Sequence, residues 1–297
     1  MTGLEEQLTR KWRRKQKTPL LDTPSFFFNN YRISMRVFPA AELIVNHEKL
    51  AIIKHNIDAT LRLITFSREH LADDLLNAYI KKTTTLKELL SVKNAQMEAE
   101  NEGEAEVYTV LLRTSIDFIS NEILLDVQFK SEVQLFQLFR LISPESHARH
   151  PNKYRHSDVQ IGRYMGPEPE RIPGLVSELF HQMKRIENPL IRAIYFHHEL
   201  IRIHPFADGN GRTTRMAKNW ILMYKLCPPI FISNSEEKKE YVGTLEKSFL
   251  HLNRGDYSWN DNLELFFEQE LDRLIKSTND VYTTVSNAGN IRKSDPI

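Results

Sequence analysis

Two stretches of this chain are apolar on every side, and a short polar break divides them. The first opens at Asn188–Pro189, an N-cap residue followed by a proline at the first helical position, where a missing N–H costs nothing. Leu190, Ile191, Ala193, Ile194, Phe196, Leu200, Ile201 and Ile203 then surround that helix with apolar groups. The second, with Met216, Ala217, Trp220, Ile221 and Met223, follows the break at 205–211. A helix that is apolar all round belongs inside a protein. The pair therefore predicts a buried helical hairpin at the centre of the fold.

Helical periodicity extends over most of the remaining chain. Ile53, Ile57, Leu61 and Ile64 recur at spacings of three and four, the stripe of an amphipathic helix. Leu71, Leu75, Leu76 and Tyr79 predict a second helix, and Leu86, Leu89 and Leu90 a third over about 84–98. The run of glutamates 98, 100, 102, 104 and 106 reads as a solvated acidic turn. Val107, Val110, Leu111, Phe118 and Ile119 mark the next helix, and 133–142 a buried one. Leu175, Leu179 and Met183 give another, with further helices near 237–252 and 258–276. Only 10 glycines and 13 prolines punctuate 297 residues, so the predicted fold class is all-α. Residues 144–175 alone break the habit, and the alternation Val159–Gln160–Ile161 predicts a small β-hairpin flap near 158–168. A non-helical segment of that length is often a functional loop.

Composition bounds what such a bundle can do. With 40 basic and 39 acidic residues the formal net charge is +1, which disfavours bulk binding to nucleic acid. The basic cluster Arg10, Lys11, Arg13, Arg14, Lys15 and Lys17 is therefore read as a solvated helix or chain end, and 18–32 as an irregular arm. A single cysteine, Cys227, allows no intramolecular disulfide and no thiolate metal cluster. No apolar run approaches the ~20 residues that span a bilayer, and no apolar stretch follows the N-terminal charges as in a secretory leader. A cytoplasmic chain without membrane or DNA partner is expected. The expected organisation is an N-terminal helical region over 1–105, a core domain over 106–276 and a polar tail over 277–297.

The chemistry concentrates at the junction of the two buried helices, His204-Pro205-Phe206-Ala207-Asp208-Gly209-Asn210-Gly211-Arg212-Thr213-Thr214-Arg215. His204 ends one helix and can accept a proton near neutral pH. Gly209, Asn210 and Gly211 permit tight backbone whose N–H groups converge on an anion, and the next helix adds its own unpaired N–H groups. Arg212 and Arg215 offer fork-shaped donors to phosphate oxygens. Cations at a helix N-terminus oppose its dipole, and an anionic ligand relieves that conflict. Asp208 supplies a hard carboxylate beside the phosphates, suited to Mg²⁺. Together these residues describe a phosphate cradle with its own base.

This run resembles the signature of the Fic (Fic/Doc) family, His-x-Phe-x-Asp/Glu-Gly-Asn-Gly-Arg-x-x-Arg, with every specified position present. The preceding helix, Ala193 to Ile203, and the segment from Tyr154-Arg155 through VQIG to the prolines at 167–173 are similar to the family as well. The resemblance implies a Fic-type helical bundle that transfers AMP from ATP to a Ser, Thr or Tyr hydroxyl of a target protein. In that reading His204 accepts the hydroxyl proton and Asp208 holds Mg²⁺. Gly209, Asn210 and Gly211 cradle the phosphates, Arg212 and Arg215 neutralise them, and Phe206 anchors the loop in the core. Gln160, Ile161, Gly162 and Arg163 of the flap would dock the target by strand addition. The resemblance also implies homodimers, which are frequent in the family.

Many members carry an inhibitory Ser/Thr-x-x-x-Glu-Gly/Asn segment whose Glu pairs with the second motif arginine. Here Glu100-Asn101 fits the end of that pattern, although Gln96 stands in place of Ser or Thr, so Glu100 is expected to pair with Arg215. Thr84-x-x-x-Glu88 is a second match, followed by Leu89. Three other functions compete with AMP transfer. One is removal of AMP or transfer of another phosphate-containing group. Another is a nucleotide-binding regulatory module without turnover. The third is a metal-dependent hydrolase using His197, His198, Glu199 and His204, although HExxH is absent because position 202 is Arg.

Overall fold

The computed structural model describes residues 35–67 and 69–291, so the basic cluster at 10–17 and the arm at 18–32 lie outside the described residues. The helices among them are α1 (His47–Thr65), α2 (Glu69–Glu98), α3 (Glu102–Leu124), α4 (Glu132–Ile142), α5 (Pro144–Arg149), α6 (Ile172–Arg185), α7 (Pro189–Ile203), α8 (Asn210–Met223), α9 (Ser235–Leu252) and α10 (Asp261–Ile291). Between α5 and α6 lies one antiparallel pair, β1 (Gln160–Ile161) and β2 (Tyr164–Met165), in the register Gln160 to Met165 and Ile161 to Tyr164. The fold is all-α with a small hairpin.

α7 and α8 form the buried hairpin. All of α8 except Gly211 is buried, as is α7 from Leu190 to Ile203 except Arg192. Asn188 starts α7 as the pattern requires, its side chain accepting from the Leu190 and Ile191 amides. α6 turns Leu175, Val176, Leu179, Phe180 and Met183 onto α7, while α4 packs on α8. Phe129 joins these layers, 5.1 Å from Phe196 and 5.4 Å from Trp220 between ring centroids. The Trp220 indole N–H donates to the Val127 carbonyl, so the large ring is buried without an orphaned donor. Behind α7 the extended segment 35–38 is held by its main chain. The Phe38 amide donates to Glu199, the Tyr195 hydroxyl to the Phe38 carbonyl, and Arg202 to the Arg36 carbonyl.

Four expectations change. The helices predicted around 71–79 and 84–98 are one 30-residue helix, α2. No glycine or proline interrupts it, and the Thr83 and Thr85 hydroxyls bond back to the carbonyls of Tyr79 and Lys81 instead of ending it. The acidic turn shrinks to residues 99–101, because Asn101 caps α3 and Glu104 is buried, accepting from the Tyr108 hydroxyl and the Glu100 amide. α4 is amphipathic, with Val133 exposed, where a fully buried helix was expected. The polar tail predicted over 277–297 is helical as far as Ile291. Val281 and Val285 continue the apolar stripe of α10 and bury against Leu75 and Leu86 of α2. Among the described residues no helix is long and apolar enough to cross a membrane.

Candidate active site

The break between α7 and α8 is a tightly specified turn. His204 ends α7 in the left-handed region, φ 52° and ψ 61°, its N–H donating to the Leu200 carbonyl. A helix commonly stops on a left-handed residue, but usually on glycine. For a residue with a Cβ that conformation costs about 1–2 kcal/mol, so the surroundings must hold it. The imidazole Nδ1 lies 3.4 Å from the Ile201 carbonyl, which favours the Nδ1–H tautomer and makes Nε2 the proton acceptor. Two residues on, Phe206 stacks on Phe139 with centroids 3.9 Å apart and contacts Phe136 and Tyr154. Asn210 clamps the same residue, accepting from the Phe206 N–H at 2.8 Å and donating to its carbonyl at 2.7 Å. Gly209 stands at φ 75°, and a Cβ there would lie 2.9 Å from Ser143 Cβ.

The first turn of α8 carries the residues expected to cradle phosphate. Arg212 is buried and held from three sides. It donates to the Ile142 carbonyl at 3.1 Å and to Asp208 at 3.4 Å, and its guanidinium lies 3.6 Å over the Tyr108 ring. Burial, together with its bond to Glu104, pushes the Tyr108 hydroxyl far above its usual range, so that ring stays neutral. The Asp208 carboxylate sits at the mouth, about a third exposed, within 3.5 Å of the Ser143 hydroxyl. A partly exposed carboxylate beside an anion cradle suits Mg²⁺, which commonly takes one or two carboxylates and fills its shell with phosphate oxygens and water.

Arg215 shows what the cradle attracts. Its Nε donates to Asn94 Oδ1 at 2.6 Å and its Nη2 to Glu98 Oε1 at 2.8 Å. Burial opposes the charge on Arg215, yet the Glu98 carboxylate overrides it and holds the guanidinium above its ordinary pKa. A Cβ added at Gly211 would collide with that same carboxylate oxygen. The Glu98 side chain therefore lies directly against the opening turn of α8, where unpaired N–H groups and the positive dipole end favour an anion. Lys238 of α9 donates to the Met97 carbonyl and caps this end of α2.

The carboxylate on Arg215 is thus Glu98, where Glu100 was expected. α2 stays helical through Glu98, so Asn94 and Glu98, four apart, share the face turned to Arg215. Glu100 lies past the helix end, its amide donating to Glu104. The pair on Arg215 spells Asn94-x-x-x-Glu98-Ala99, with Asn where the family pattern has Ser or Thr and Ala after the glutamate. The four-residue spacing was available in the sequence, and the Asn substitution concealed it.

The flap is fixed at three levels. At its tip Gly162 has φ 57°, and the Arg163 amide donates to Glu246 of α9 at 2.8 Å. In its middle the buried Tyr164 donates to the Arg202 carbonyl at 2.9 Å, while Gln160 remains exposed. At its stem Arg155, also buried, bonds to carbonyls on both the flap and the His204 turn. In the sequence Arg155 stands only as part of the flap's family resemblance, with no role of its own. A lone arginine in an irregular loop carries no periodic signal.

Of the residues of the metal-hydrolase alternative, His197, His198 and Glu199 serve a buried polar network apart from His204. His197 Nε2 pairs with the Tyr241 hydroxyl, His198 bridges Glu199 and Ser248, and Glu199 pairs with Arg202. Among the described residues no three His, Cys, Asp or Glu side chains gather as a metal site. Cys227 is buried, and burial pushes its thiol up to about 12, leaving no thiolate at neutral pH.

Comparison with known proteins agrees with the motif. The Fic/DOC family model matches residues 131–222, which contain α4, the hairpin, α7 and α8. The chain is 25% identical over 185 residues to the protein adenylyltransferase Fic of Nematostella vectensis, a match spanning 61% of this chain and 42% of that protein. It thus spans less than half the length of that curated relative. A Fic domain containing signaling protein from Bacteroides thetaiotaomicron superposes with a TM-score of 0.55 at 19% identity, covering 83% of this chain and 99% of the other. IbpAFic2 covalently tethered to Cdc42 superposes with a TM-score of 0.52 at 20% identity, covering 82% and 75%. At such identities the superpositions speak for the fold alone.

Proposed function

Because residues 131–222 carry a Fic/DOC-family domain, we propose that this chain is a protein adenylyltransferase, transferring AMP from ATP to a Ser, Thr or Tyr hydroxyl of a target protein. The hydroxyl oxygen attacks the α-phosphorus, the bond to the bridging α–β oxygen breaks, and pyrophosphate leaves. The hydroxyl proton passes to Nε2 of His204, a step worth about 10²–10⁴-fold. The opening N–H groups of α8 and the guanidinium of Arg215 hold the leaving phosphates, while Arg212, braced on Tyr108, fixes the turn that carries Asp208. Asp208 would hold Mg²⁺, which supplies charge neutralisation across the phosphates when bound. The flap at Gln160–Arg163, whose sheet has two strands, would receive an extended segment of the target by main-chain pairing. IbpAFic2, seen tethered to Cdc42, offers a precedent for a protein as target.

The observation that carries this reading is the seat of Glu98. Its carboxylate occupies the place where a terminal phosphate oxygen would meet Arg215 and the α8 N-terminus. In this reading the same contact would hold the resting protein autoinhibited, since ATP and Glu98 would compete for one anion seat. Incubation with Mg²⁺ and ATP labelled at the α- or the γ-phosphate tests the reaction. The Glu98→Gly variant should label itself or a lysate protein from α-labelled ATP only, and adding His204→Ala should abolish labelling. Label arriving from the γ-phosphate, or persisting without His204, would contradict the assignment.

A further inference from the structure

Arg155 is 4% exposed, far from its usual place at the surface, and its guanidinium spends its donors on main-chain oxygens from two different segments. Nη1 donates to the Ser157 carbonyl at 2.7 Å, and Nη2 to the Pro167 carbonyl at 2.7 Å. These two residues flank the hairpin, Ser157 before β1 and Pro167 after β2. Nε donates to the His204 carbonyl at 2.8 Å, and Nη2 also reaches the Ile203 carbonyl at 3.5 Å. The Arg155 backbone N–H adds a bond to the Pro205 carbonyl at 2.8 Å. Residues 203–205 are the end of α7 and the turn that carries the imidazole.

From this geometry we infer that Arg155 is a positioning residue, whose single rigid fork sets the flap and the left-handed His204 turn in one fixed relation. Three features support it. The C-terminal carbonyls of a helix lack intrahelical donors and attract a cation, so Arg155 supplies what α7 leaves open. His204 needs external bonds to keep its left-handed backbone, and the bond at its carbonyl completes the one its amide makes to Leu200. Room for the fork is also kept clear, because a Cβ at Gly166 would lie 3.1 Å from Arg155 Nη2 and 2.7 Å from Val159 Cγ1. Lysine cannot replace the fork, since a point charge with three donors does not span two segments in one plane. The consequence rests on the proposed transfer reaction: a target strand added to the flap is thereby placed at a set distance from Nε2 of His204.

Two variants test this, Arg155→Lys and Gly166→Ala, the second leaving the arginine in place. Amide hydrogen exchange on the full chain reads the coupling without any activity. Peptides covering 156–168 and 203–211 should both exchange about tenfold faster in each variant, while α10 is unchanged. Exchange rising in only one of the two segments overturns the inference. In the Glu98→Gly background, kcat for AMP transfer should fall about tenfold to a hundredfold with KM for ATP unchanged, the signature of a misplaced base rather than a lost cradle. A raised KM for ATP at unchanged kcat also overturns it. If the Glu98→Gly parent transfers no AMP at all, the proposed function fails, and the exchange data still decide the role of Arg155.

Discussion

The catalytic turn illustrates how few residues can be exchanged when each is bound on several sides. Asn210 is the clearest example, because its amide closes both backbone groups of Phe206. Asn210→Ala should lower stability by about 1–3 kcal/mol, the cost of orphaning buried backbone groups, and AMP transfer should fall with it. Urea unfolding followed by tryptophan fluorescence measures the first, and an unchanged midpoint would return Asn210 to a bystander. These residues were legible in the sequence because they are contiguous, and their roles follow from local backbone geometry and charge. Glu98 was not legible in the same way. Its position depends on where α2 ends and which face it turns to α8, a tertiary fact that put the sequence reading two residues too far along at Glu100.

At the scale of elements, the site is a place where three helices meet. α8 supplies the cradle, α2 delivers the anion that fills it, and α9 holds both the tip of the flap through Glu246 and the end of α2 through Lys238. The Lys238 bond to the Met97 carbonyl stabilises the last turn of α2 one residue before Glu98. Lys238→Ala should therefore loosen that turn and raise AMP transfer, by less than Glu98→Gly does. A rate equal to wild type in a quantitative labelling assay would show that α2 needs no hold at this end. The amphipathic stripes made α1, α6 and α9 readable from spacing alone. α2 was split in two and α10 cut short, since threonines and polar residues lower local hydrophobicity without stopping a helix whose remaining positions still pack.

For the whole molecule, a formal net charge of +1 conceals a strongly uneven interior. The buried Lys218 and Glu270 continue through the half-buried Arg273 and Glu237 as a chain of ion pairs, with His197 beside Glu270 and His198 bonded to Glu199 and Ser248. Burial drives the His197 pKa down to about 3 and lowers that of His198, so both imidazoles are neutral in the fold. The unfolded chain takes up these protons as the pH drops through about 6.5, and the folded protein does not. Stability should therefore be full above that value and decline toward the folded pKa, by up to about 1.4 kcal/mol per pH unit for each imidazole. Burial opposes the charge on Glu199, yet Arg202 and its hydrogen bonds hold its pKa near 2, so it adds nothing to the slope above about pH 5.5 and steepens it only below its ordinary carboxylate range. Urea midpoints at pH 7.5, 6.5 and 5.5 should fall in order, and His197→Gln should flatten the fall; a constant midpoint would contradict the neutral pair. Such a network was invisible in sequence, where paired charges in the core look the same as charges at the surface. The central claim is that the anion seat of Arg215 is an ATP phosphate site held by Glu98, and one comparison tests it most directly. Initial rates of AMP transfer from α-labelled ATP should rise at least about tenfold in Glu98→Gly and stay at the wild-type value in Glu100→Gly. Equal rates in the two variants, or a rise in Glu100→Gly alone, would contradict the account.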